Sequence, residues 1–74
     1  MKTPNQIRQF PIILQSPSKN GFTFFRRIHA DGRLERKNLG QDWEPNDTPT
    51  IQMDQLEKYL FTMTERFGWK IQPD

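Results

Sequence analysis

The tripeptide Ala30-Asp31-Gly32 constrains the fold of this chain more than any other segment. It follows residues 22–29, which carry apolar side chains at alternate positions as β-strands do, and it precedes a further extended segment at 33–39. A type I turn with Gly32 in the left-handed conformation makes a three-residue loop with a bulge. The sequence therefore predicts a β-hairpin, and its clearest strand is residues 22–29.

This loop also determines which residues face each other across the hairpin. It sets Ile28 opposite Leu34 on the buried face, and Arg27 opposite Glu35 on the other face, where their opposite charges attract. A two-residue loop would instead set Ile28 against Glu35, which pairs an apolar residue with a charge. We therefore expect the three-residue loop and its register.

The segments before the hairpin predict one more strand and a turn. Residues 7–14 contain the β-branched pair Ile12-Ile13, and Pro11 among them cannot donate a ladder hydrogen bond. We therefore expect a strand at an edge of the sheet, where a second copy of the chain can pair with it to form a homodimer. Asn20-Gly21 is a typical hairpin-turn dipeptide.

The second half of the chain predicts a loop, a helix and a short last strand. Residues 41–50 contain three acidic residues and two prolines, so we expect an acidic, proline-containing loop there. An amphipathic helix is expected over 54–67, with Asp54 as N-cap in a capping box with Glu57 and Gly68 at the C-cap. Trp69 and Ile71 then alternate with polar residues as in a strand. The buried stripe of the helix is expected to consist of Leu56, Leu60, Met63 and Phe67.

Together these elements predict a single small α+β domain over residues 1–74, in the order β-β-β-α-β. The expected architecture is a three-stranded antiparallel meander with one amphipathic helix packed on one face and a short C-terminal strand. Only 32% of the residues are hydrophobic, so the core is thin and the free energy of unfolding is expected to be small. Residues 1–6 are polar and are expected to be frayed.

The residue types argue against several classes of function. The chain has no cysteine, which excludes a disulfide framework, a thiol nucleophile and a cysteine-based metal site. His29 is the only histidine, and we interpret it as a half-exposed strand-end residue; we expect no catalytic residues, no metal site and no cofactor. No apolar run is long enough for a membrane span and no signal peptide is recognisable, so we expect a cytoplasmic location.

Charge is divided unevenly along the chain. Residues 1–40 carry eight basic and two acidic side chains, a net charge of +6, whereas residues 41–74 carry three basic and seven acidic ones, a net charge of −4. Such a chain can present a basic face to an anionic partner. The alternative is that the two halves attract each other and the asymmetry is neutralised within the fold.

The predicted element order and the basic hairpin resemble two families of DNA-binding domain. A three-stranded sheet followed by one helix is similar to the arm-binding domains of phage-type integrases and to plant ethylene-response-type domains, which lay the sheet in the major groove. The similarity covers about residues 19–67. It implies that the face away from the helix is the basic one, with Arg27 and Lys37 on it and Arg33 near the turn, within reach of a phosphate.

The expected register conflicts with this simple picture at one pair of residues. Arg26 lies opposite Arg36 on the helix side of the sheet, where like charges lower stability. A bulge near Phe24 and Phe25 can turn Arg26 outward, the two arginines can reach around the sheet edge, or the register differs. If a bulge frees them, the hairpin carries a basic patch of Arg26, Arg27, Arg33, Arg36 and Lys37. Otherwise these are ordinary solvated strand residues.

Three aromatic residues are expected to lie off the buried faces. Phe25 lies on the outer face of its strand, Phe61 lies off the apolar stripe of the helix, and Trp43 lies in the acidic loop. Exposed aromatic residues are enriched at protein interfaces. Each also has a structural interpretation, since Trp43 can fold back over the edge of the core and Phe61 can pack under the loop.

These features predict a small non-catalytic binding protein of the accessory or regulatory kind common in bacteria and phages. A protein partner is favoured, because a net charge of +2 is weak for DNA binding and the acidic half repels phosphate. The alternative is nucleic-acid binding through the basic hairpin at 22–39. The candidate binding residues are Phe25, Arg26, Arg27, Arg33, Arg36, Lys37, Trp43 and Phe61.

Overall fold

The computed structural model describes residues 9–72, which form an α+β fold with one five-stranded antiparallel sheet. Across the sheet the strands lie in the order β4-β3-β2-β1-β5. Segment 1–6 and the start of the strand predicted at 7–14 lie outside the described residues. The strands are β1 (Ile12–Gln15), β2 (Phe24–Ile28), β3 (Arg33–Asn38), β4 (Glu44–Thr50) and β5 (Lys70–Ile71), and the one α-helix is α1 (Leu56–Phe61).

The hairpin of β2 and β3 has the register predicted from its loop. Ile28 pairs with Leu34, and Arg27 pairs with Glu35. Gly32 has a φ of +92°, and its N–H donates a hydrogen bond of 2.9 Å back across the turn. A loop of three residues with glycine in the left-handed region therefore determines the pairing of the two central strands.

Gly32 also brings the end of β4 against the hairpin. The Ile51 N–H donates to the Gly32 carbonyl oxygen at 2.9 Å. A Cβ atom on Gly32 would lie 2.6 Å from the carbonyl oxygen of Ile51, which is closer than real Cβ atoms approach. Glycine is therefore required here by both its conformation and the space around it.

The prediction of a loop over 41–50 is wrong, because Glu44–Thr50 forms the fourth strand. β4 pairs only with β3, with Glu44 opposite Arg36, and its register is irregular near Arg33. An edge strand needs N–H donors on one side only, so it tolerates Pro45 and Pro49. Four strands rather than three precede the helix, so the element order that resembled the two DNA-binding families is not the observed one.

The strand predicted at an edge of the sheet lies inside it instead. β1 is flanked by β2 and by β5, and Leu14 and Gln15 pair with β5. Pro11 is compatible with this position because it precedes β1. The short last strand is confirmed as β5, and it occupies part of the edge through which a homodimer was expected to form; the homodimer itself stays a prediction.

The helical segment begins one residue before the predicted start, and its first turn is a 3-10 turn. It consists of a 3-10 turn (Met53–Gln55), then α1, then a π-helical turn (Thr62–Arg66). Asp54 lies inside the 3-10 turn and is not the predicted N-cap, and the residues that occupy the two N-cap positions, Gln52 and Gln55, make no side-chain capping hydrogen bond. The carbonyl of Gln52 already accepts the N–H of Gln55 at 2.8 Å, so the chain turns before Asp54 can act as N-cap. Gly68 ends the segment with a φ of +75°, as predicted.

The core lies between this helical segment and one face of the sheet. It is formed by Ile12, Leu14, Ile28, Leu34, Leu56, Leu60 and Met63. Phe67, predicted to complete the helical stripe, is 60% exposed. Its N–H bonds to the Thr62 carbonyl in the wider π-helical turn, which rotates the side chain off the core. Within residues 9–72, no helix is both long enough and apolar enough to cross a membrane.

Candidate functional site

The helical segment packs on one face of the sheet, and the described residues place no second layer on the other. Strand residues alternate between the two faces, so every second side chain of β2 and β3 points away from the core. We call the uncovered surface the open face. Six side chains of this face, from β2, β3 and the segments next to them, are half-buried: Phe25, Arg27, His29, Glu35, Lys37 and Trp43.

Cations and aromatic rings are stacked on the open face. The guanidinium carbon of Arg27 lies 4.3 Å from the centroid of the Trp43 ring. The Nζ of Lys37 lies 5.2 Å from the Trp43 centroid and 5.4 Å from the Phe25 centroid. Cation–π contacts of this kind contribute about 0.5–1 kcal/mol each where they are partly solvated. Trp43 therefore folds back over the sheet, as one interpretation of the sequence expected, but over its open face rather than over the core.

Glu35 anchors the other end of this stack. Its Oε1 accepts from the Nε of Arg27 at 2.8 Å and lies 2.5 Å from the Nε2 of His29. The hydrogen bonds from Arg27, and then from His29, lower the pKa of the Glu35 carboxyl below its usual value, against a smaller opposing effect of burial. The carboxylate is thus held ionised, and it fixes the Arg27 side chain under Trp43.

The structure resolves the conflict between Arg26 and Arg36 without a bulge. The two residues pair directly on the core side of the sheet, in an uninterrupted ladder. Arg36 turns to β4, where its Nη1 lies 3.0 Å from Asp47 and its Nε lies 4.0 Å from Glu44. Arg26 turns the other way, toward Trp69, with its guanidinium carbon 5.3 Å from the ring centroid. Different partners therefore stabilise the two like charges.

The eight candidate residues consequently fall into separate groups. One group meets on the open face, as the alternation of the hairpin predicted: Phe25, Arg27, Lys37 and Trp43. Arg26 and Arg36 lie on the opposite side of the sheet, so the predicted five-residue basic patch does not form. Arg33 lies at the turn, with its Nε 3.0 Å from Asp31. Phe61 lies on α1 and is 63% exposed.

The sequence reasoning missed three partners of these arginines, namely Glu44, Asp47 and Trp69. The signal was the Arg26–Arg36 pair itself, because two opposed cations on one face require compensating groups. Assigning 41–50 to a loop hid the acidic residues that supply part of this compensation. Asp31 shows the same local neutralisation, since the backbone N–H of Arg33 lowers the pKa of its exposed carboxyl.

The open face combines cations and aromatic rings with one carboxylate that is engaged by Arg27 and His29, that of Glu35. Within the part of the chain that the structure describes, no cluster of three or more His, Asp or Glu side chains is suited to hold a metal ion. Comparison with protein-family models, with curated proteins and with solved structures finds no match. A function therefore has to be inferred from the geometry of the two sheet faces.

Proposed function

We propose that this chain is a small non-catalytic binding protein, a cytoplasmic accessory or regulatory factor, whose open face contacts a partner protein. One observation carries the proposal: Phe25, Arg27, Lys37 and Trp43 meet in a single stack on the face that no described element covers. Tryptophan and arginine are the residues most enriched among those that dominate interface energies. Half-buried rings with cations beside them match the composition of such sites.

The stack is also held in place before a partner arrives. Glu35 fixes Arg27, and Arg27 in turn supports the ring of Trp43. Ordering a long side chain at an interface costs about 0.5–1.5 kcal/mol, and side chains that are already ordered avoid much of this cost. The contacts among these residues therefore favour binding as well as stability.

Charge indicates the chemistry of the partner. Among the described residues no carboxylate lies within 4.0 Å of the Lys37 ammonium, whereas Arg27 is paired with Glu35. On the open face, Lys37 is thus a cation that no described carboxylate compensates, and it lies between two aromatic rings. We propose a partner segment that carries an acidic residue next to large apolar residues, because such a segment complements both the charge and the rings.

Nucleic-acid binding through the hairpin at 22–39 is the second candidate. Its support is the combination of Lys37 with two rings, since bases stack on aromatic side chains while cations contact the backbone. Three of the five predicted basic residues, however, are paired with carboxylates: Arg27, Arg33 and Arg36. Neutralised arginines release fewer counterions, so we favour the protein partner.

Quantitative affinity capture from the cells that express the chain tests the proposal. We expect the wild-type protein to retain a specific partner, and Trp43→Ala or Lys37→Glu to lose it. Phe61→Ala and Lys58→Glu are the matched controls, because they remove an exposed ring and reverse an exposed charge on the helix instead. A partner that is retained equally by all four variants would contradict binding through the open face.

Fluorescence anisotropy with labelled DNA and RNA separates the two candidates. If the open face binds a protein, the chain should associate with DNA or RNA at most weakly and without dependence on the nucleotide sequence. This association should disappear at physiological salt. Tight binding that falls steeply with salt and is weakened by Lys37→Glu, but not by Lys58→Glu, would establish the second candidate and contradict the first.

A further inference from the structure

A pocket of about 440 Å³ lies beside the ends of β2 and β3 that carry Phe24 and Asn38. Phe24, Arg26, Arg36 and Asn38 line it from the core side of the sheet, Phe25 and Lys37 border it from the open face, and Glu44 and Trp69 complete the lining. The pocket residues used below are Phe24, Arg26, Arg36, Asn38, Glu44 and Trp69. Its volume is within the range of small-molecule sites, about 300–1,000 Å³. The pocket adjoins the open face, with which it shares Phe25 and Lys37.

On the core side of the sheet, the pocket contains one cation that no described carboxylate neutralises, Arg26; Lys37 borders the pocket from the open face. Arg36 is compensated by Asp47 and Glu44. Arg26 has no carboxylate within 4.0 Å among residues 9–72, and its Nη1 only reaches the hydroxyl oxygen of Tyr59 at 3.4 Å. A half-buried guanidinium without an anion leaves a favourable place for one, because arginine binds carboxylates through two parallel hydrogen bonds.

Aromatic surface adjoins this cation. The Trp69 ring lies beside the guanidinium of Arg26, and Phe24 is 45% exposed in the pocket lining. A large apolar side chain that remains this exposed inside a pocket gains free energy when a ligand covers it. The core-side lining therefore combines the unpaired guanidinium of Arg26 with apolar walls.

We propose that this pocket binds a small aromatic carboxylate. The carboxylate group of the ligand pairs with the Arg26 guanidinium, and the ring of the ligand packs against Trp69 and Phe24. The negative charge of Glu44, together with Asp47, remains engaged by Arg36. A single anionic group on the ligand then matches the one uncompensated charge on the core-side lining, that of Arg26. The proposed ligand contacts, Arg26, Trp69 and Phe24, are distinct from the residues proposed to bind the protein partner, although Phe25 and Lys37 border both sites.

Nuclear magnetic resonance titration of the full chain with 3-phenylpropionate tests the site. The indole N–H signal of Trp69, assigned with the help of Trp43→Phe, is expected to shift and saturate at millimolar ligand, while the signal of Trp43 stays unchanged. The neutral amide, 3-phenylpropanamide, has the same ring and is expected to bind at least about tenfold more weakly, since it lacks the charge. Equal binding of acid and amide would overturn the assignment, and so would the absence of any saturable shift.

Variants of the lining establish that the signal arises from this pocket. Arg26→Gln is expected to weaken binding of 3-phenylpropionate at least about tenfold, whereas Arg33→Gln, at the opposite end of the hairpin, leaves it unchanged. Asn38→Asp conserves the size of its side chain and adds a negative charge to the lining, so it provides a second loss-of-binding variant should Arg26→Gln not fold. Unchanged affinity in Asn38→Asp or in folded Arg26→Gln would overturn the proposal.

Titration with a peptide distinguishes two occupants of the pocket, a small free molecule and the C-terminus of a polypeptide. N-acetyl-glycyl-phenylalanine carries the same ring and carboxylate at the C-terminus of a peptide. We expect it to bind no more tightly than 3-phenylpropionate, because the pocket has the size of one small ligand. Binding more than about tenfold tighter would show that the ligand is a peptide C-terminus and would overturn the small-molecule assignment.

Discussion

Arg26 and Arg36 lie directly opposite each other on β2 and β3, on the same side of the sheet as the core. The pair is stable because each guanidinium is directed to a different partner. Arg36 contacts the carboxylate of Asp47 on the edge strand, and Arg26 lies against the ring of Trp69 after the helical segment. The ion pair of Arg36 with Asp47 links the basic first half of the chain to the acidic second half. The charge asymmetry of the sequence is therefore partly neutralised within the fold.

Removing the acidic partners of Arg36 is expected to expose the repulsion within this pair. The double substitution Glu44→Gln and Asp47→Asn should lower the free energy of unfolding by about 0.2–1 kcal/mol at low salt, and the loss should shrink at about 1 M salt. Asp42→Asn, in the same acidic segment, is the matched control. Chemical denaturation measures all three. A loss that is independent of salt, or equal in the control, would contradict the role of these carboxylates.

The two turn glycines are expected to differ in their tolerance of alanine. Gly21 has a φ of +80° with open space around it, whereas Gly32 has a φ of +92° and faces the backbone oxygen of Ile51. Gly21→Ala should cost about 1 kcal/mol through backbone strain alone, and Gly32→Ala should cost at least about 2 kcal/mol because the clash is added. Equal losses in thermal or urea unfolding would show that the contact with Ile51 does not restrict residue 32.

Adjacent residues of α1 are expected to behave oppositely. Leu60 is 4% exposed in the core, and Phe61 is 63% exposed on the outer side of the helix. Leu60→Ala should therefore lower the free energy of unfolding by about 2–5 kcal/mol, whereas Phe61→Ala should change it by less than about 0.5 kcal/mol. The melting temperatures of the two variants measure this directly. A large loss in Phe61→Ala would mean that this ring is packed.

The stability contributed by Glu35 is expected to depend on pH. Its carboxyl has a lower pKa in the folded chain than in the unfolded chain, chiefly through the hydrogen bond from Arg27. The contribution is therefore complete at neutral pH and is lost as the pH falls through the lowered pKa. The difference in unfolding free energy between wild type and Glu35→Gln should shrink as the pH falls below about 5 and the carboxyl becomes protonated. Glu65→Gln, an exposed glutamate in the helical segment, is the control, and a difference that stays constant over this range would contradict the lowered pKa.

The parts of the fold that were predictable from the sequence depend on local chemistry. The loop ending at Gly32 sets the register of the central hairpin because only a few turn conformations join two strands over three residues. Once the register is known, the period of two in a strand places Phe25, Arg27 and Lys37 on one face. These features need no information from distant residues.

The parts that were not predictable depend on neighbours far along the chain. The segment of β4 forms a strand despite its two prolines because it lies at the edge of the sheet, where the outer side of a strand needs no backbone N–H donors. Whether a strand lies at an edge depends on the tertiary structure. Phe67 leaves the apolar stripe because the helix widens into a π-helical turn, which breaks the period on which the stripe was predicted. The place of Trp43 over Arg27 is likewise decided by packing, since no periodicity governs the segment before β4.

Selection from a random peptide library displayed on phage tests the protein-binding role of the open face most directly. The account predicts that peptides retained by the wild-type chain carry Asp or Glu next to large apolar residues. It also predicts that they bind Trp43→Ala and Lys37→Glu at least about tenfold more weakly, while Phe61→Ala and Lys58→Glu bind them as the wild type does. Selected peptides that lack acidic residues, or that bind Trp43→Ala with unchanged affinity, would contradict it.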